Sequence, residues 1–271
     1  MIRVNCLLIK FTWFDVGMWK RIRVTILLLI LAYVSLTSYL DLQQNWDEET
    51  IIVVHPVNAQ KDEFVEQYIK SLKPSDFDDI TEFLTKNATQ YRKKDTSIRV
   101  VLGSTLKTPP PIVDDKVAAN IFTTGLWSLR FKFYALWNMR KEDFNSDTVM
   151  YLNYYYSKNV DQLERSTALQ RGRIGLVNLY GEKVMTPTNN VIIAHEALHT
   201  FGAEDYYDLS TGIPIFPIGY ADPDQKPLYP QKRAEIMGGY ILINEQDFTI
   251  PNGFDEVVLK KDTAKSLKWI E

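Results

Sequence analysis

The spacing of apolar residues sorts this chain into one charge-free run, several buried strands and a set of one-faced helices. Residues 24–40 (VTILLLILAYVSLTSYL) carry no charge. Residues 50–55 (TIIVVH) and 97–102 (SIRVVL) are short β-branched runs that predict buried strands, ended by Pro56 and Gly103. Phe64, Val65, Tyr68, Ile69 and Leu72 recur at helical spacing, which predicts a helix over 62–72 broken by Pro74. A second helix follows, with Ser75 and Asp78 as its capping box and Phe77, Ile80, Leu84 and Tyr91 inward. Residues 114–139 read as a long, mostly apolar helical stretch with a break at Gly125. Residues 148–155 (TVMYLNYY) and 173–180 (RIGLVNLY) predict two more strands. Residues 203–253 are rich in Gly, Pro and Asp without periodicity, an ordered loop region, and 262–270 predict a closing helix. Strand, helix, strand, helix, strand, strand is the order of an α/β (α+β) fold, its sheet mostly parallel with one late antiparallel member.

The run at 24–40 is close to the shortest length that crosses a bilayer as a helix. Lys20, Arg21 and Arg23 precede it and Asp41 follows. This charge order places 1–23 in the cytoplasm and the rest outside, with 24–40 as a transmembrane anchor. A start at Met18 gives a second reading, in which the same run is a signal peptide cleaved near Ser38 and the protein is secreted. Either way residues 41–271 are exported. The single cysteine, Cys6, then lies on the other side of the membrane from them and forms no intramolecular disulfide. A net charge of −3 with no basic tract argues against a nucleic-acid partner. The 45% hydrophobic content suffices for a substantial core.

The chemistry concentrates in 189–205 (NNVIIAHEALHTFGAED). Thr186 as cap and Pro187 in the first turn start a helix that runs through His195 and His199 without a breaker. Positions four apart share one helix face, so the two imidazoles can grip one metal ion from the same side. Glu196 is rotated by about 100° from His195. It is badly placed to be a ligand but well placed to take a proton from water on the metal. A catalytic zinc site normally has three protein ligands. No histidine follows His199, so the third must be a carboxylate or the distant His55, which otherwise reads as structural. Asp222 and Asp224, in a Pro-rich loop, are candidates for calcium.

Gly202 stands three residues after His199, and Asp205 three further on. This H-E-x-x-H-x-x-G-x-x-D layout resembles the metzincin zinc peptidases, with Asp in the place most of them give to His, as in their snapalysin-like branch. The resemblance implies Asp205 as third ligand, with Glu204 and Asp208 as rivals off the family spacing. It also implies a methionine turn beneath the metal, which Glu235-Ile236-Met237-Gly238-Gly239-Tyr240 supplies. It covers roughly 50–271, with an upper subdomain over 50–202 and a lower, irregular one over 203–271 that ends in a helix. Tyr240 is a candidate to stabilise an oxyanion. The function implied is a zinc-dependent endopeptidase holding one zinc through His195, His199 and Asp205, with Glu196 as general base. A strand beside the cleft, 173–180, would hold the protein or peptide substrate extended. Two other readings are open: a non-catalytic surface module using zinc structurally, and a zinc amidase acting on cell-wall peptides.

Overall fold

The computed structural model describes residues 11–41, 43–113 and 120–270. The chain divides into two compact units, Met1–Gln43 and Gln44–Glu271. The described part of the first unit holds one helix, α1 (Phe11–Asp41), which contains the charge-free run and exposes apolar side chains such as Leu27 and Leu29. Among the described residues no helix is long and apolar enough to cross a membrane. The anchor reading of 24–40 is therefore carried by the sequence pattern alone. Cys6 lies outside the described residues.

The second unit is built on a five-stranded sheet of β1 (Thr50–Asn58), β2 (Ile98–Leu102), β3 (Thr148–Tyr155), β4 (Thr167–Leu169) and β5 (Ile174–Tyr180). The spatial order is β2-β1-β3-β5-β4, parallel throughout except for β4. The mostly parallel sheet with an antiparallel edge is as expected, but the edge strand is not the one the pattern suggested. Residues 173–180 form an interior strand parallel to β3, and the three-residue β4 supplies the antiparallel edge. Strands this short carry no readable alternation.

Both faces of the sheet are covered, as parallel sheets require. Met150, Leu152, Tyr154, Val177 and Leu179 point into one core, shared with α2 (Glu63–Ser71), α3 (Asp78–Arg92) and α5 (Thr186–Thr200). Tyr151, Ile174 and Leu176 point the other way, against Trp127 and Phe131 of α4 (Ile121–Asn138). Successive strand residues alternate between faces, so one strand serves two cores.

Several local expectations are corrected. Pro56 does not end β1, which pairs with β3 through Asn58. Beside it β2 has already ended at Leu102, and the Pro56 carbonyl accepts from the Leu106 N–H. A proline with no N–H is tolerated where no partner strand needs one. The turn before α3 is a short 3₁₀ segment (Pro74–Phe77), and its capping pair is Lys73 with Asp76, not Ser75 with Asp78. Gly125 does not break α4, because open space surrounds it and the backbone continues regularly. Residues 114–119, the expected start of that helix, lie outside the described residues. The loop region 203–253 contains short strands, β6 (Ala234–Glu235), β7 (Ile241–Leu242) and β8 (Phe248–Thr249), and β9 (Val257–Val258) pairs with β6.

The closing helix, α6 (Lys261–Ser266), is shorter than expected. Lys268 takes a left-handed φ of 58° and turns the chain so that the Trp269 N–H reaches the Ala264 carbonyl. Trp46 ties the start of this unit to its end. It packs on Phe201 and Trp269 and donates from Nε1 to the Leu267 carbonyl at 2.9 Å. The segment just before β1 is thus part of the core that contains Phe201 and Trp269.

Candidate metal centre

Helix α5 packs against β5, β4 and β3. Its start differs from expectation: Met185 is the cap, with no side-chain bond, and Thr186 is already helical with Pro187 behind it. The Thr186 hydroxyl instead approaches the Tyr68 hydroxyl at 3.5 Å. From Asn189 onward the helix is almost wholly buried, so His195 and Glu196 are desolvated by the elements packed around it.

The helix ends at Gly202, whose φ of +104° is open to glycine at little cost. The Gly202 N–H returns to the His199 carbonyl and the Ala203 N–H to that of Leu198. A side chain at 202 would also collide with Gln170, whose Nε2 lies 2.5 Å from the position of a Cβ. This reversal brings the Ala203 carbonyl to 2.7 Å from His199 Nδ1, and it carries Asp205 back over the two imidazoles.

His195 Nδ1 lies 2.8 Å from the Ile236 carbonyl. A carbonyl only accepts, so on both rings Nδ1 carries the hydrogen and Nε2 offers its lone pair. The two Nε2 atoms are 3.1 Å apart, and Asp205 Oδ1 is 3.2 Å from that of His195 and 3.1 Å from that of His199. Three lone pairs thus face one point from the corners of a nearly regular triangle. A tetrahedral zinc ion bonded at 2.0–2.1 Å separates its donors by about 3.3 Å. The residues present fit such an ion, and they are the group of His, Cys, Asp and Glu able to hold a metal among the described residues.

The electrostatics agree with that geometry. Burial alone would lower the pKa of His199, but the hydrogen bond with Asp205 and the charges of Glu196 and Asp205 outweigh it and raise it to about 9. Burial would raise Asp205, yet the hydrogen bonds and charges of the two histidines hold it well below the usual carboxylate range. The cluster attracts a cation, and a proton takes the place when no metal does. Glu196 sits beside it with its Oε2 buried and without a hydrogen-bond partner. Burial pushes its carboxyl up, while the charges of His199 and His195 pull it back.

The rival ligands turn away. Glu204 is exposed, and Asp208 caps a surface turn by accepting from the N–H groups of Ser210 and Thr211. His55 is far from the centre. Its Nδ1 contacts the Ser104 carbonyl and its Nε2 contacts Asp143, a structural role. The calcium expectation is not supported: Asp222 faces Arg233 at 3.4 Å, and no three-carboxylate group forms there among the described residues.

The turn at 235–240 is built as a support. Gly238 and Gly239 N–H groups both bond the Glu235 carbonyl, and Gly239 has a φ of +75°. A Cβ on Gly238 would sit 2.2 Å from the Gly219 carbonyl oxygen. Met237 is fully buried, and its carbonyl accepts from the Tyr206 N–H while that of Ile236 orients His195. One turn therefore positions a histidine and the residue next to Asp205.

Sequence reasoning overlooked the group that holds this turn. Glu235 is fully buried, and its Oε2 accepts from the N–H groups of Met237 at 2.6 Å and Gly238 at 3.0 Å. Its Oε1 accepts from Thr263 Oγ1 at 2.5 Å and the Lys260 N–H at 3.2 Å, which fastens α6 to the turn. A buried acid inside an apolar stretch was the available signal.

The centre opens into a cleft of about 640 Å³. His195, Glu196, Tyr207 and Tyr240 line it, with 162–166 as one wall. Tyr240 is where an oxyanion donor could stand, and Tyr207, which the sequence did not single out, is there too. The Tyr207 ring stacks 6.3 Å from that of His195 and meets Tyr240 edge-on at 5.7 Å. Burial, then the charges of Asp205 and Glu196, push the Tyr207 hydroxyl far up. It stays a donor at every ordinary pH. The strand expected to hold substrate is corrected as well. The outer side of β5 is covered by β4 and by 164–166, where Asn178 donates to the Glu164 and Arg165 carbonyls. The wall that faces the cleft is 162–166. Comparison with known protein families and with curated proteins finds no match for this chain.

Proposed function

We propose that this chain is a zinc-dependent endopeptidase of the metzincin type, with His195, His199 and Asp205 as ligands and Glu196 as general base. The observation that carries the reading is the convergence of three lone pairs on one point, beside a buried carboxylate that has no partner of its own. A structural metal site has no use for that carboxylate, which speaks against a non-catalytic module. When bound, zinc would polarise the scissile carbonyl and acidify water. Glu196 would accept a proton from the attacking water and return it to the leaving amine. Tyr207, or Tyr240 across from it, donates to the oxygen on which charge develops. The 162–166 wall aligns an extended chain. In this reading 24–40 holds residues 41–271 on the outer side of a membrane, or releases them there after cleavage.

The test is metal analysis of the purified chain together with a peptide-library digest. About one zinc per chain is expected, lost in His199→Ala, with cleavage abolished in Glu196→Gln. A folded protein that binds no zinc would sink the reading. Zinc without peptide cleavage, but with digestion of cell-wall cross-links, would move it to the amidase class.

A further inference from the structure

Helix α4 is apolar on both sides. Trp127 and Phe131 face the sheet and are buried. On the opposite side Phe122, Leu126, Leu129, Phe133, Leu136 and Trp137 stand in water, from 51% exposed at Leu129 to 90% at Trp137. At 100° per residue these six fall within an arc of about 100° along the whole helix. Six large side chains more than half exposed in one stripe exceed what a monomer ordinarily leaves in water.

The charges on this helix say what covers the stripe. Its sequence, IFTTGLWSLRFKFYALWN, contains Arg130 and Lys132 and no carboxylate. From the middle of the stripe, Arg130 lies about 70° to one side and Lys132 about 90° to the other. Arg140 and Lys141 follow the helix, and the next two acids are engaged elsewhere, Glu142 with Ser104 and Asp143 with His55. An apolar stripe bordered on both sides by cations is the pattern of a helix lying in a lipid interface, where the cations reach phosphates and the stripe enters the acyl region. The 4,3,4,3 spacing of the stripe would also suit a second copy of the helix. Pairing two copies, however, would set cation borders against each other with no acid to answer them. We infer that the exposed face of α4 is a docking surface for an anionic lipid bilayer, which holds this catalytic unit against the membrane surface independently of 24–40.

The test uses the full chain with Cys6→Ser and a single labelling cysteine, either Leu129→Cys on the stripe or Lys70→Cys on the exposed side of α2. The chain is incorporated into mixed phosphatidylcholine–phosphatidylglycerol vesicles carrying nitroxide-labelled acyl chains. A fluorophore at 129 should be quenched by the lipid several-fold more than one at 70, and aqueous iodide should reverse that order. Phe133→Glu should return position 129 to the behaviour of position 70 with zinc content unchanged. Equal iodide quenching at both positions would overturn the proposal. So would protection of 129 without vesicles accompanied by 129-to-129 cross-linking, which would make the face a contact between copies. Zinc content is read in the same samples, so failure of the lipid contact is distinguishable from failure of the metal centre.

Discussion

If His195, His199 and Asp205 hold zinc as proposed, removing it should reverse the way the protein's stability responds to pH. In the metal-free state the cation among His195, His199 and Asp205 is a proton on His199, whose pKa is raised to about 9 from an unfolded value of 6.5. A raised folded pKa stabilises the protein fully below 6.5 and loses that contribution as pH rises through about 9. The difference corresponds to about 3 kcal/mol. The lowered Asp205 is the other half of the same ion pair and is not added to it. For a unit of this size each kcal/mol moves the melting temperature by roughly 2–4 °C, so metal-free protein should lose on the order of 5–10 °C between pH 6 and 9.5. Zinc needs both imidazoles neutral, so zinc-bound protein has the opposite slope, losing stability against the unfolded chain as pH falls below about 6.5. Melting curves with chelator and with zinc across this range test the point. Asp205→Asn should flatten the metal-free slope while the rest of the profile stays. A metal-free profile that is flat or rises from pH 6.5 to 9 would refute the reading of the triangle as a cation site.

Four further outcomes follow from the site. Glu196→Gln should keep zinc while the turnover rate falls by about 10²–10⁴, measured as cleavage of a fluorogenic peptide beside metal analysis. Asp205→Ala should lose zinc and activity together, whereas Glu204→Ala and Asp208→Ala should keep both; the reverse result in a zinc titration would reassign the third ligand. Tyr207→Phe should lower kcat by roughly 10² with zinc retained and KM little changed, and Tyr240→Phe should lower it less, because Tyr207 is the ring stacked on His195. Glu235→Ala should cost about 3 kcal/mol or more in urea unfolding and weaken zinc binding although 235 is no ligand, because it leaves the Met237 and Lys260 N–H groups and the Thr263 hydroxyl without their acceptor.

Much of the sheet was legible because its strands are long enough to show their pattern. Residues 50–58, 148–155 and 174–180 are β-branched or aromatic runs buried on both faces, and such runs read the same from either side; 98–102, at the edge, is legible from its β-branched run although Arg99 is exposed. The antiparallel β4 was not legible, since three residues carry no period, and its pairing with β5 depends on the turn between them. Pro56 misled because the rule against proline in a strand concerns the neighbour that needs an N–H. Whether β2 extends that far is not written near residue 56. The core role of Trp46 was not legible for the same reason, since its partners Phe201, Leu267 and Trp269 lie more than 150 residues away.

The centre divides along the same line. The pair His195 and His199 is a consequence of helical period, and any helix over 186–200 brings the two rings to one side. Direction is another matter. A histidine pair on a helix becomes a metal site only when something fixes which nitrogen carries the hydrogen. Here two carbonyls do that, and both come from irregular backbone: Ala203, placed by the left-handed turn at Gly202, and Ile236, placed by the turn that Glu235 holds. The first lies four residues from its histidine and is implied by the glycine. The second lies 41 residues away and depends on a buried acid that also grips Thr263 of α6. The Nε2 lone pair of His195 is therefore aimed, through Glu235, by α6. A change at Thr263 should reach the proposed metal site through Glu235 and the Ile236 carbonyl, without touching His195, His199 or Asp205.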